Sequence, residues 1–197
     1  MKIAALAAVV MAAAGASAAE LKNAVEIVSI CSDNTADLIS VLRARNIATQ
    51  MFAAIEVGIE WHDAPSCPTG ALRVSFSTST PGNLLPGALA YALPYEGTHI
   101  VIFYDRVQAA AVDPRRVPAV LGHVLVHEIT HVLEGVARHS AEGVMKAHWT
   151  NEDYSRMCWK PLPFADEDVA LIHRGLEWRA ARRNVAQPGT TVLAGVE

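Results

Sequence analysis

Short apolar runs and helical stripes alternate along the first two thirds of the chain, and their two periods mark out its elements. Residues 24–30 are rich in Val and Ile and read as a buried strand. Ser32, Asp33, Asn34 and Thr35 are helix N-cap types, and Leu38, Val41, Leu42, Ile47, Met51, Phe52 and Ile55 then recur at helical spacing. Gly58 is the expected stop, and a second strand is predicted over residues 59–61. A strand, a helix and a strand in this order form a βαβ unit, so the two strands should run parallel. Leu72, Val74 and Phe76 alternate with Arg73, Ser75 and Ser77, as in a strand with one face covered. Pro81, Gly82, Asn83, Pro86 and Gly87 mark a loop. Residues 88–93, bounded by Pro86 and Pro94, suit an edge strand, and residues 98–104 a fifth strand. A helix is predicted over residues 118–134, with Pro118 in its first turn and Gly135 just past its end. Residues 135–164 read as irregular. Residues 165–183 form a final helix with Val169, Ile172 and Leu176 on one side.

The length of 197 residues suits one compact domain, and there is no internal repeat or linker. With 52% hydrophobic and 18% charged residues the chain is not of the disordered class. A net charge of −4 gives no footprint for nucleic acid. The mean hydropathy of +0.24 is high, and much of it lies at the start. Lys2, an Ala-rich apolar run and the triplet Ala16, Ser17, Ala18 are the three parts of a signal peptide. As a helix the run would span about 25 Å, short of a hydrocarbon core of about 30 Å. Residues 1–18 are therefore expected to be removed and the protein to be secreted or periplasmic, with a loose tail at 186–197. Export leaves Cys31, Cys67 and Cys158 where disulfides persist. Three allow one bridge. Two loop cysteines pair more easily than one held in a strand, so the expected pair is Cys67–Cys158.

Within the helix at 118–134 stands His127-Glu128-Ile129-Thr130-His131. Residues four apart share a helix face, so His127 and His131 can grip one metal ion. Glu128 lies about 100° round from His127, within reach of a water there without ligating the metal. Two neutral imidazoles suit Zn²⁺. The same helix is apolar on both sides, as a buried helix is. His123 is one turn before His127, but a straight helix cannot wrap three such residues round one tetrahedral ion. It reads as packed or as a support. Gly135 can take the left-handed conformation that ends the helix and lets the chain bring His139 back as a third nitrogen. Met145 follows in a turn.

His127, Glu128, His131, a helix-ending Gly, a third His and a nearby Met resemble the metzincin zinc endopeptidases. Their pattern is HExxHxxGxxH followed by a Met-turn. Here Glu134 stands at the Gly position and Ala137 at the third His, so Gly135 and His139 give HExxHxxxGxxxH. This expanded spacing is more similar still to that of a group of small secreted bacterial proteins. The order of elements is similar to the metzincin upper subdomain over roughly residues 24–150. The resemblance implies an α+β zincin fold: a mixed five-stranded sheet packed on the N-terminal helix and the active-site helix, with a C-terminal helix. It implies a zinc metalloprotease domain over 19–185, with His127, His131 and His139 as zinc ligands, Glu128 as general base and Met145 as a support. An extended peptide substrate would lie along the edge strand at 88–93, with no nucleic acid or membrane partner. Some metzincins carry a Tyr two residues after the Met. Ala147 stands there, and Tyr154 is a distant candidate. Lys146, His148 and Trp149 would begin the wall of the specificity pocket. Two alternatives stay open: a gluzincin-type peptidase with Glu142, Glu152 or Glu167 as third ligand, and a non-catalytic zinc-binding module whose fourth position is closed by His123 or His148.

Overall fold

The computed structural model describes residues 26–33, 36–92 and 98–186, so the expected leader and the tail beyond residue 186 lie outside the described residues. The chain runs β1 (Glu26–Ser32), α1 (Leu38–Ala53), β2 (Val57–Asp63), β3 (Leu72–Ser77), β4 (Ala90–Ala92) and β5 (His99–Phe103). It continues through α2 (Tyr104–Ala111), a 3-10 turn (Pro114–Arg116), α3 (Val117–Glu134), α4 (Asn151–Met157) and α5 (Asp166–Ala186). The strands form one mixed sheet in the order β2-β1-β3-β5-β4. β1 and β2 are parallel from Glu26 opposite Val57 to Ser32 opposite Asp63, as the βαβ reading requires. β4 alone is antiparallel, pairing Ala90 with Ile102, and it forms one edge.

The first helix starts and stops elsewhere than expected. Its N-cap is Asp37, whose carboxylate accepts the Ser40 N–H at 3.0 Å. Ser32 instead ends β1, where its hydroxyl meets the Arg45 guanidinium, and Asp33 accepts the Phe76 N–H of β3 at 3.2 Å. Gly58 does not stop the helix. The last turn tightens through Ile55 N–H to Phe52 O and Glu56 N–H to Ala53 O, and Glu56 at φ 63° turns the chain, leaving Gly58 inside β2. α2 and α4 fall in stretches with no strong apolar stripe and were not anticipated.

The disulfide joins Cys31 to Cys67, with Cα atoms 5.5 Å apart, and Cys158 is free and exposed. The expected Cys67–Cys158 pairing is thus wrong, and the topology gives the reason. β1 lies between β2 and β3, so the β2–β3 connection must cross the end of β1. That crossing brings loop residue Cys67 to strand residue Cys31.

α3 is the axis of the molecule. Seventeen of its residues are buried, from Val117 to Glu134 with Ala119 the exception. It crosses α1 closely where Gly122 meets Ile47 and the Ala44 carbonyl, 3.2 Å from where a Cβ would stand. Phe52, Leu121, Leu125, Ile129 and Leu133 fill the space between the helices and the sheet. On the other side α5 lies so near that a Cβ on Gly175 would overlap the Leu133 carbonyl. A helix held on every side presents its histidines with little freedom.

Candidate active site

The site is built on the last two turns of α3 and the chain that follows. Gly135 takes φ 69° and ψ 18°, the left-handed conformation that closes the helix, and its N–H bonds the His131 carbonyl at 3.0 Å. The chain then returns, and His139 comes beside the two helical histidines. Ring centroids are 4.7 Å apart for His127 and His131, 5.2 Å for His127 and His139, and 5.0 Å for His131 and His139. One nitrogen from each lies within 4.8 Å of the other two. Among the described residues, this is the cluster of His, Cys and carboxylate groups that could hold a metal ion.

Its protonation suits a cation. The His127 Nδ1–H donates to the Val144 carbonyl at 2.9 Å, so Nε2 keeps its lone pair. The His131 Nε2 lies 3.1 Å from that atom. Burial drives both imidazoles down to a pKa of about 4, so both are neutral at pH 7. His139 is exposed and shifted down as well, first by desolvation and then by His148 and Arg138. Burial pushes the Glu128 carboxyl up to about 8 in the metal-free protein.

His127, Glu128 and His139 open into a cleft of about 630 Å³. One side is the segment Leu85–Ala90 leading into β4, and the other is Lys146, His148, Trp149 and Tyr154. The wall anticipated after Met145 is therefore in the cleft, and so is Tyr154. Trp149 is pinned by its Nε1–H to the Val144 carbonyl at 3.2 Å, and Tyr154 stands edge-on to it with centroids 6.0 Å apart. The Lys146 ammonium donates to Asp153 at 2.5 Å, so its charge is already partnered. Met145 is fully buried, and its carbonyl accepts the Ser140 N–H at 2.8 Å, closing the loop that follows His139.

His123 lies outside the cluster. It is fully buried, with Nδ1–H to the Ala119 carbonyl at 2.7 Å and Nε2 accepting the Leu162 N–H at 3.0 Å. Both nitrogens are engaged, Nδ1 within α3 and Nε2 in holding the late loop onto it. Glu142 and Glu152 are exposed and Glu167 is bound to Arg138, so none of the three candidate carboxylates joins the histidines.

Two supports escaped the sequence reading. Arg106 on α2 donates from Nη1 to the Leu85 and Ala88 carbonyls at 2.7 and 2.9 Å, and so fixes the rim of the cleft. Thr150 and Asp153 form a capping box that starts α4 and sets Tyr154 in place. The Thr-x-x-Asp spacing was the signal for the second.

No protein-family model and no curated protein matches the chain. Among solved structures it is similar to archaemetzincin from Methanopyrus kandleri, with a TM-score of 0.55 at 13% identity, over 76% of this chain and 96% of that one. The fold of this chain is archaemetzincin-like.

Proposed function

We propose that the protein is an exported zinc-dependent endopeptidase, in which His127, His131 and His139 hold the metal and Glu128 moves the proton. The observation that carries this reading is the cluster of three imidazole nitrogens beside a carboxyl group at the head of a cleft. The donor set fits zinc. Zn–N bonds of about 2.0–2.1 Å in a tetrahedron place ligand nitrogens about 3.3 Å apart, and His127 and His131 already stand 3.1 Å apart. The Val144 carbonyl supplies the backbone partner that fixes the ligand tautomer of His127. The archaemetzincin-like fold and the resemblance of the motif to metzincins support the same reading.

Zinc at this position would supply a Lewis acid that polarises a carbonyl, brings the pKa of water toward about 7 and draws down that of a neighbouring carboxyl group. The protein's own groups do the rest. Glu128, ionised, takes a proton from the attacking water and gives it to the leaving amine. The β4 edge pairs an extended peptide by β-augmentation, and Val124, Trp149 and Tyr154 give the cleft an apolar wall. An edge strand grips the middle of a chain, so cleavage is expected at internal bonds.

The test is Glu128→Gln, which keeps size and polarity and removes basicity. Zinc content and fold should persist while hydrolysis of a mixed peptide library falls by about 10²–10⁴-fold. Wild-type protein that holds zinc and cleaves nothing in the library would falsify the peptidase reading and leave a zinc-binding module. Export rests on residues 1–18, and N-terminal sequencing of secreted material should begin at Ala19. A membrane-held protein still beginning at Met1 would contradict it.

A further inference from the structure

We propose that Asp168, on α5, is a positioning residue that holds His139 in the cluster by clamping the residues on either side of it. The proposal rests on the metal-site reading above and extends it to a helix that contributes no ligand. Of the three histidines, His139 alone is off α3, exposed, and four residues past the glycine that ends the helix. Fixing such a residue costs backbone entropy and side-chain freedom besides. Something must hold it.

Both neighbours of His139 reach the same carboxylate. The Arg138 Nη1–H donates to Asp168 Oδ1 at 2.8 Å, and the Ser140 hydroxyl donates to that oxygen at 2.5 Å. The other oxygen, Oδ2, accepts the Ala165 N–H at 3.0 Å, which locks the Asp168 side chain to the start of α5. Arg138 has a second arm, from Nη2 to Glu167 at 2.8 Å. Asp168 is fully buried, lies outside the cleft and takes no part in the proton chemistry. A buried carboxylate is tolerated only with its lone pairs filled, and these go to residues 138, 140 and 165.

The expanded spacing explains the need. Glu134, at the position where metzincins have Gly, is covered at the end of α3, and its Oε1 lies 3.6 Å from Arg138 Nη1. One guanidinium therefore meets the end of the ligand helix, the third-ligand loop and α5. A loop lengthened on both sides of Gly135 is braced from a third element.

A plain role in starting α5 is the competing explanation, because Asp168 also bonds the Ala165 N–H. Arg138→Gln separates the two, since it removes the guanidinium arm of the clamp, with the Ser140 arm remaining, and leaves the Asp168–Ala165 bond in place. Three readouts apply: zinc affinity by chelator competition, the absorption spectrum of the Co²⁺-loaded protein, and backbone order parameters of residues 136–140 without metal. Asp168→Asn and Arg138→Gln should each weaken zinc binding by about 10–100-fold and change the Co²⁺ spectrum. In both, the loop order parameters should fall from about 0.85 to below about 0.6. Arg138→Lys should restore part of the affinity, and Glu167→Gln, which removes the exposed arm, should change it less than threefold. Arg138 is partly exposed, so its variants carry the test if Asp168→Asn does not fold. Arg138→Gln with parental zinc affinity, Co²⁺ spectrum and loop order would overturn the proposal. Wild type that binds neither metal would overturn the metal-site reading instead, and the metal-free loop order would still decide the clamp.

Discussion

Replacing Glu134 by Gln should stabilise the metal-free protein at alkaline pH and leave its stability unchanged at acid pH. The Glu134 side chain is fully covered, and neither oxygen has a hydrogen-bond partner among the described residues. Burial raises its pKa from 4.5 to about 7; Asp168 and Glu167 add to the rise and Arg138 opposes it. Between these values the unfolded chain has released a proton that the folded chain still holds. The stability this group contributes is therefore complete below pH 4.5 and is lost as pH rises to about 7. At 1.36 kcal/mol per unit the loss has an upper bound of about 3 kcal/mol, and relaxation around Arg138 brings it to roughly 1–3. Gln cannot ionise and carries none of it. Urea unfolding of both proteins at pH 4.5 and pH 8, with chelator present, measures the difference, and the Glu128 titration cancels between them. The two should agree at pH 4.5, and the Gln variant should lead by about 1–3 kcal/mol at pH 8. Identical pH dependence in the two proteins would refute the reasoning.

His139→Ala should lower zinc affinity by at least tenfold in a chelator competition, while Glu142→Ala and Glu152→Ala leave it within twofold. A carboxylate variant that empties the site would turn the reading toward a gluzincin arrangement. Thiol titration of unreduced, denatured protein should find one free group, Cys158, and Cys67→Ser should cost about 2–5 kcal/mol in chemical unfolding while Cys158→Ser costs less than about 0.5. Three free thiols in protein from an oxidising compartment would contradict the bridge.

The parts of this site that are local in sequence were legible in it. His127, Glu128 and His131 lie within two turns of one helix, and helical periodicity alone puts the two imidazoles on one face. His139 was within reach because Gly135 can take the left-handed conformation that ends the helix and turns the chain back. Parallel β1 and β2 and the half-covered β3 followed from period and connection length. What escaped depends on contacts distant in sequence. Asp168 lies 30 residues from Arg138 and 28 from Ser140, and neither an acid in the first turn of a helix nor a basic loop residue announces its partner. The disulfide was misread because strand order decides it, and order is not visible in the run of Val and Ile that makes β1. α2 was missed because Val107 and Ala111 are the few buried apolar positions between Tyr104 and Val112, too few to show a stripe. Asp37 was passed over as N-cap for the polar cluster before it, of which Ser32 ends β1 and meets Arg45 and Asp33 accepts from β3 instead.

The most direct measurement is anomalous scattering at the zinc edge from crystals of the protein, with metal content determined on the same sample. One zinc per chain is expected, with its peak about 2.0–2.1 Å from a nitrogen of each of His127, His131 and His139. No peak at this position in protein that contains stoichiometric zinc, or a peak ligated by His127, His131 and a carboxylate, would contradict the three-histidine site.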